Sequence, residues 1–156
     1  MSSDRLVFVS FEPRDGQFEA FMSVEGLLST ESDPHLMLQE AAALYQRSVW
    51  RMGSLVADIQ ARRAARQLVP ARKVWQLGDA IFELRDELAR LSLQVNDVYG
   101  HLVRDLGVKR KWLEKVVILR RYVPVLEAVP ETLNWGRCEK GTRRVAEKLS
   151  KGLPLG

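Results

Sequence analysis

The sequence has few of the residues that form covalent cross-links, metal sites or catalytic centres. A single cysteine, Cys138, excludes a disulfide bond within the chain and is typical of a reducing compartment. It lies among basic residues, which lower the pKa of a thiol, yet we interpret it as an incidental thiol rather than a nucleophile. The two histidines, His35 and His101, fall in different predicted elements. We therefore expect no metal site, no cofactor and no enzymatic activity.

Long apolar runs and glycine-rich phosphate-binding loops are missing as well. No stretch approaches the ~20 apolar residues that span a bilayer, and residues 1–8 do not have the pattern of a signal peptide. We therefore expect a cytoplasmic protein with no membrane partner. The 156 residues are 46% hydrophobic and 28% charged, which is typical of a folded domain that buries a core without cross-links.

Positive charge is concentrated in the C-terminal third of the chain. Residues 104–151 contain 13 Lys and Arg against 6 Asp and Glu, a net charge of +7, whereas residues 1–103 have a net charge of −3. Charge asymmetry of this kind favours a polyanionic partner for the C-terminal segment. The alternative is a solvated basic surface that has no partner.

The N-terminal segment, residues 1–33, is predicted to be an arm or a short β-hairpin. Residues 6–11 have the composition of a strand, residues 13–16 contain turn-forming proline, aspartate and glycine, and residues 17–24 can form a returning strand. Because a two-stranded hairpin is marginally stable alone, we expect it to pack on helices or on a partner chain.

Residues 34–92 predict an antiparallel hairpin of two long helices. The first covers about 34–67 and is capped by Ser32 and Asp33, and the second covers about 71–91. Apolar residues recur on both at alternating spacings of three and four, which is typical of a helix-packing seam. These residues are Leu38, Ala42, Tyr45, Val49, Met52, Val56 and Ile59, then Val74, Leu77, Ile81, Leu84, Leu88 and Leu91. The seam can close within one chain or between two, so we expect a scaffold or a dimer interface.

Residues 93–156 predict a helix-turn-helix unit followed by a basic tail. A helix capped by Asp97 ends near Leu106, Gly107 supplies the left-handed turn residue, and a second helix covers about 109–122. The shared core of the unit would consist of Leu102, Leu106, Val108, Leu113 and Val116. We expect a short helical turn over residues 130–135 and a last helix over 142–150.

The second helix of this unit opens with three consecutive cations. Arg110 is the best candidate for a bidentate contact to guanine, which is worth about 1–3 kcal/mol of discrimination. The neighbouring lysines are better suited to phosphates, since an ammonium group is a point charge. The predicted nucleic-acid contacts are Arg104, Lys109, Arg110, Lys111, Lys115, Arg120 and Arg121. The alternative is a basic, solvated face on a packing helix.

A secondary basic patch is predicted outside this unit. No acidic residue lies between positions 61 and 73, at the expected tip of the helical hairpin, and further cations follow on the last helix. The patch consists of Arg62, Arg63, Arg66, Arg72, Lys73, Arg143 and Arg144. It would grip the phosphate backbone, or it is a solvated helix end whose cations suit the helix dipole.

Residues 74–124 resemble the N-terminal helical domain of a bacterial family whose C-terminal half is a PD-(D/E)xK-type nuclease. The matching residues are Trp75, Leu77, Gly78, Ile81, Leu102, Leu106, Gly107, Leu113, Tyr122 and Pro124. The chain departs from that family after Pro124, where we find no carboxylate–lysine motif and too little sequence for a nuclease domain. The resemblance implies a helical DNA-binding or assembly module without cleavage activity.

Together these features predict a mainly α, non-catalytic DNA-binding protein, either a transcription regulator or a DNA-associated module. Duplex DNA is the expected partner. A homodimer would place two reading helices about 34 Å apart, or a multiple of that distance. The alternative is a helical adaptor or subunit of a larger protein assembly, with a protein partner and no direct contact to nucleic acid.

Overall fold

The computed structural model describes residues 7–22 and 34–155. Helices account for 65% of these residues, which confirms the prediction of a mainly α protein. The elements follow in the order β1 (Val7–Arg14), β2 (Gln17–Met22), α1 (Pro34–Ala64), α2 (Ala71–Arg90), β3 (Leu93–Val95), α3 (Val98–Leu106), α4 (Arg110–Tyr122), a 3₁₀ helix (Leu126–Ala128), α5 (Trp135–Glu139) and α6 (Thr142–Ser150).

The N-terminal strands form an antiparallel pair within a three-stranded sheet. Asp15 and Gly16 both have positive φ angles, 52° and 79°, which are required at the two central residues of a tight hairpin turn. Val9 and Phe11 of β1 point into the core and are fully buried. The sheet order is β2-β1-β3, and β3 runs parallel to β1. β3 was not expected from the sequence, because its three residues are too few to show a pattern.

The long helices begin and end close to the predicted positions. α1 begins at Pro34 and ends at Ala64, three residues before the predicted end, and α2 covers residues 71–90. Their buried faces contact one another. The predicted caps Ser32 and Asp33, like the end of the predicted second strand at Val24, lie outside the described residues.

α4 crosses α2 at an unusually close approach that glycine makes possible. A Cβ atom at Gly78 would lie 2.8 Å from Arg120 Cβ and 2.9 Å from the Val116 carbonyl oxygen. The indole N–H of Trp75 donates to the Val123 carbonyl oxygen at 2.7 Å and fixes the end of α4 on α2. The position of α4 is therefore set by the core and not by its own surface residues.

α3 and α4 are joined by the turn that the sequence predicts at glycine. Gly107 has a φ of +67° and its N–H donates to the Val103 carbonyl oxygen, which closes α3. At the other end of α3, the Asp97 carboxylate accepts the N–H of Gly100 at 3.3 Å. α4 contacts α2, α3 and α6, so only part of its surface faces solvent.

The chain after α4 differs in part from the prediction. Residues 130–135 contain a single turn, closed by the Leu133 N–H that donates to the Pro130 carbonyl oxygen at 3.1 Å, and not a helix; a 3₁₀ helix lies earlier, at 126–128, and α5 begins at Trp135. The backbone at residues 134 and 135 pairs with the connection between α1 and α2. The Trp135 N–H donates to the Val69 carbonyl oxygen at 2.7 Å, and Pro70 and Asn134 form an isolated antiparallel β-bridge. α6 covers the predicted residues 142–150.

A buried polar cluster joins α1, α3 and β1. The Tyr45 hydroxyl donates to Asp105 at 2.5 Å, and its ring stacks on Phe11 with the ring centres 4.2 Å apart. Burial first, and then the bond to Asp105, raises the pKa of Tyr45 well above its ordinary value. The hydroxyl therefore remains a donor over the whole physiological pH range.

His101 forms a second link between α3 and the sheet. The N–H of Phe11 donates to its Nε2 at 2.9 Å, so Nδ1 must carry the proton of the neutral ring. The Nδ1–H then donates a hydrogen bond to the Asp97 carbonyl oxygen, at 3.0 Å. The histidine is thus satisfied within the core and is not oriented towards a ligand.

Candidate nucleic-acid interface

The seven cations predicted to contact nucleic acid divide into paired and unpaired residues. Arg104, Arg110 and Arg120 lie within ion-pair distance of carboxylates. No carboxylate of the described residues pairs with the remaining four, which are Lys109, Lys111, Lys115 and Arg121. The first three of these surround the start of α4 and the fourth lies at its end.

Arg120 is held between α2 and α4. Its Nε lies 2.9 Å from Asp79 Oδ1, and its guanidinium lies over the rings of Phe82 at 4.7 Å and Trp75 at 5.3 Å. The side chain is only 19% exposed. Because it sits directly beside the close approach at Gly78, Arg120 stabilises the packing of the two helices.

Arg104 is held between α3 and β1. Two of its nitrogens donate to Asp105 at 2.8 and 2.9 Å, and a third contact reaches the Phe11 carbonyl oxygen at 2.7 Å. The bond to Asp105 raises the pKa of Arg104 further above its already high value. Such a bidentate, backbone-anchored guanidinium serves the fold, although a third of its surface is exposed.

Arg110, the residue expected to recognise guanine, is paired at the surface. It lies 3.2 Å from Asp97, 3.7 Å from Glu114 and 5.3 Å from the centre of the Tyr99 ring. Its hydrogen bond is the main reason why the pKa of Asp97 lies below its ordinary value. Half of the side chain remains exposed, so this pairing is weak and open to competition by another anion.

The unpaired cations of α4 share one side of the helix. At 100° per residue, Lys111, Lys115 and Arg121 lie within an arc of about 120°, opposite the buried Val116. We call these three residues and Lys109 the cationic face. Lys109, Lys111 and Arg121 are exposed, whereas Lys115 is half-buried.

The start of α4 places like charges together. Its first turn contains no acidic residue, and Lys109 at the N-cap position provides no side-chain hydrogen bond. Three cations therefore lie at the positive end of the helix dipole, where negative groups are favoured by about 0.3–1 kcal/mol each. Helix stability does not explain Lys109 and Lys111, which have no carboxylate partner among the described residues, and a bound anion would relieve the repulsion between them.

A groove of about 380 Å³ runs between α1 and the start of α4. Val56, Ile59, Val108 and Trp112 supply its apolar lining, and Gln60, Arg63, Lys109, Lys111, Lys115 and Glu139 supply the polar one. The Trp112 side chain is half-buried in this groove. Mixed apolar and cationic walls of this size suit an amphipathic anion.

Arg63 lies loosely across one side of this groove. Its guanidinium is 5.8 Å from the centre of the Trp112 ring and 3.4 Å from the Glu139 carboxylate. The Trp112 indole nitrogen is buried and has no hydrogen-bond partner. The part of the groove contributed by α1 was missed in the sequence, since no pattern connects residues about fifty positions apart.

The secondary basic patch at the α1–α2 connection is largely neutralised. Asp58 accepts from Arg62 at 3.1 Å and from Lys73 at 2.8 Å. The bond from Lys73, followed by that from Arg62, lowers the pKa of Asp58. Arg72 donates to the Val129 carbonyl oxygen at 2.6 Å. We call Arg62, Lys73 and Arg72 the paired tip.

The remaining residues of the secondary basic patch that lie outside the groove, Arg66, Arg143 and Arg144, differ in their contacts. Arg66 is exposed and has a positive φ angle of 59°, and no carboxylate of the described residues pairs with it. Arg143 lies 3.3 Å from Glu147 and 5.7 Å from the centre of the Tyr122 ring, so it is near the end of α4. Arg144 is exposed on α6. Of the predicted patch, the structure thus brings Arg143 of α6 and Arg63 of α1 close to the cationic face.

Cys138 differs from the expectation that basic neighbours lower its pKa. Burial raises the pKa of this thiol to about 11, and the effect of Arg137 is smaller. Within residues 7–22 and 34–155, no cluster of three His, Cys, Asp or Glu side chains is arranged for a metal ion. No helix among the same residues is sufficiently long and apolar to cross a membrane.

Comparisons with family models, with curated proteins and with solved structures gave no significant match to this chain. The resemblance of residues 74–124 to the nuclease-associated helical domain therefore stays a prediction, and the function is inferred from the geometry of the site.

Proposed function

We propose that the protein is a non-catalytic DNA-binding protein in which α3, the Gly107 turn and α4 act as a helix-turn-helix. The observation that carries the proposal is the cationic face: Lys109, Lys111, Lys115 and Arg121 have no carboxylate partner among the described residues. Cations at the start of a helix, against its dipole, are favourable when an anion binds there. Duplex DNA is such a polyanion.

In this proposal the predicted contact residues have two roles. The cationic face binds phosphates, and Arg110 exchanges its surface pair with Asp97 for a base edge or a phosphate. Arg104 and Arg120 hold α3 and α4 in place through Asp105 and Asp79. Their loss would weaken binding only through the fold.

α1 and α2 form an antiparallel hairpin that serves as scaffold or dimer interface, and the protein acts in the cytoplasm as a regulator or DNA-associated module. If the protein is a dimer, two α4 helices spaced by about 34 Å would favour a two-fold-related DNA site.

Fluorescence anisotropy with a labelled random duplex at about 50 and 200 mM salt tests the binding. Four phosphate contacts would give a log–log slope of about −3.6, since each contributes roughly 0.9. The variant K109A/K111A should lower this slope by about 1.8. The matched control is R14A/R47A, which removes two exposed cations of β1 and α1, neither of which lines a pocket with a residue of α4. Equal slopes in all three proteins would refute the proposal.

One observation favours the alternative of a helical adaptor. Trp50 is 67% exposed and Leu36, on the same side of α1, is 60% exposed, so this side of the helix presents two large apolar side chains to solvent that a protein partner could cover. An adaptor would form a stable complex that W50Q abolishes and K109A/K111A preserves, without salt-dependent DNA binding. Co-purification followed by sedimentation of the two variants distinguishes it from the DNA-binding proposal.

A further inference from the structure

The groove beside α4 is chemically unlike a surface that only follows a phosphate backbone. Its interior contains the indole of Trp112 and the buried side chains of Val56 and Ile59. A paired base in a duplex is stacked on both sides and cannot enter a cleft between two helices. An unpaired base, in contrast, has two free faces that gain from stacking on an aromatic side chain.

Cations lie at the mouth of the groove where a phosphate would accompany such a base. Lys109, Lys111 and Lys115 line the side formed by α4 and belong to the cationic face. The apolar interior and this charged edge therefore match the two halves of one nucleotide. Among the described residues, Glu139 is the one carboxylate that lines the groove, and it pairs with Arg63 at 3.4 Å.

Arg63 does not block the site. Its guanidinium lies 5.8 Å from the Trp112 ring, and its ion pair with Glu139 is partly exposed, so moving it costs little. A planar guanidinium also stacks on bases. Arg63 is therefore suited to cover a base that rests on Trp112.

We propose that this groove holds the base of one unpaired nucleotide, so that the protein prefers DNA in which a duplex ends in a single-stranded overhang. This inference rests on the proposed function, since the duplex part occupies the cationic face. Stacking of one base on an aromatic ring strengthens binding by about ten-fold. We therefore expect the overhang DNA to bind about ten-fold more tightly than the same duplex with blunt ends.

The test uses 2-aminopurine, a fluorescent base that is quenched when it stacks. It is placed at the first unpaired position of an overhang duplex and, separately, inside a blunt duplex; 2-aminopurine riboside triphosphate is the free nucleotide. Wild-type protein should quench the overhang probe strongly and the blunt probe little. The variant W112L should lose the quenching and the ten-fold preference, whereas W50L, which removes an exposed tryptophan outside the groove, should keep both.

A second variant addresses the contribution of α1 without touching the core. Gln60 is exposed and lines the groove opposite α4, so Q60E places a negative charge beside the nucleotide. Affinity for the overhang DNA should fall by more than affinity for the blunt duplex, so that the ten-fold preference is lost. This outcome is informative even if W112L is less stable than the wild type.

Each opposing result has a distinct meaning. Equal affinity for overhang and blunt DNA without quenching overturns the groove inference and leaves DNA binding intact. Quenching of the free nucleotide alone overturns the assignment to a DNA strand. No binding of any DNA at about 50 mM salt overturns the proposed function together with the inference.

Discussion

The cationic face of α4 and the paired tip between α1 and α2 contain the same residue types but differ in their surroundings. At the tip, Asp58 accepts from both Arg62 and Lys73, and the main chain at Val129 accepts from Arg72. At the start of α4, the lysines have no such partners among the described residues. Runs of cations in a sequence are therefore poor guides to binding until the positions of the carboxylates are known.

The largest expected effect concerns Cys138, where a neighbouring positive charge and burial act on the thiol pKa in opposite directions. Cys138 lies beside Arg137, yet burial raises its pKa to about 11 from an ordinary value of 9.0. At pH 8 the native thiolate population should be about 100-fold smaller than that of an unfolded chain.

Labelling with a thiol reagent at pH 8, with and without denaturant, measures this ratio. Because the folded pKa is raised, the neutral thiol favours the fold, and stability should fall as the pH rises from about 9 towards 11. The C138A variant should not show this loss of stability. Equal labelling rates in the native and unfolded protein would show that burial does not control the thiol.

A smaller effect is expected from a substitution that prevents α4 from approaching α2 closely at Gly78. In G78A the new methyl group meets the Val116 carbonyl oxygen at 2.9 Å, so α4 must shift, at a cost of about 1–3 kcal/mol. G53A is the matched control, because no atom lies within 4 Å of its added Cβ and alanine favours a helix by about 0.5–1 kcal/mol.

Urea unfolding of both variants gives the two free energies. We expect G78A to be less stable than the wild type and G53A to be as stable or more stable. A stable G78A protein would mean that α4 does not depend on Gly78 for its position.

The smallest effect comes from converting the paired tip into an unpaired one. D58N releases Arg62 and Lys73, so DNA affinity at about 50 mM salt should rise by roughly two- to five-fold as weak phosphate contacts become available. Anisotropy with the blunt duplex measures the change. Unchanged affinity would indicate that pairing with Asp58 does not keep the tip from binding.

The same substitution also tests how the stability of the wild type depends on pH. The pKa of Asp58 is lowered from 3.8 in the fold, so its contribution to stability is present above about pH 4 and is lost as the pH falls through the lower, folded pKa. Acid unfolding should therefore be steeper for wild type than for D58N below about pH 4.

The helix boundaries were predictable because proline and glycine mark them locally. Pro34 begins α1, Pro70 precedes α2, and Gly107 ends α3. β3 was not predictable, since its pairing with β1 depends on residues more than eighty positions away. The ends of helices follow from local residue preferences, whereas the formation of a short parallel strand depends on tertiary packing.

The candidate site was predictable in part for the same reason. The cations at positions 109–111 are visible as a run, and their position at a helix start follows from the glycine turn. The pairing of Arg120 with Asp79 was not visible, nor was the contribution of Arg63 to the groove, because both depend on how helices cross. The sequence showed which residues are charged, and the fold determines which remain available.

The most direct test of this account compares the two cationic regions in one experiment. Duplex affinity is measured at about 50 mM salt for wild type, for K109A/K111A on the cationic face and for R62A/R72A at the paired tip. We predict a loss of about ten-fold or more for the first variant and of less than two-fold for the second, since the cations of the paired tip already have partners within the protein. Equal losses in both variants, or a larger loss at the tip, would contradict the account.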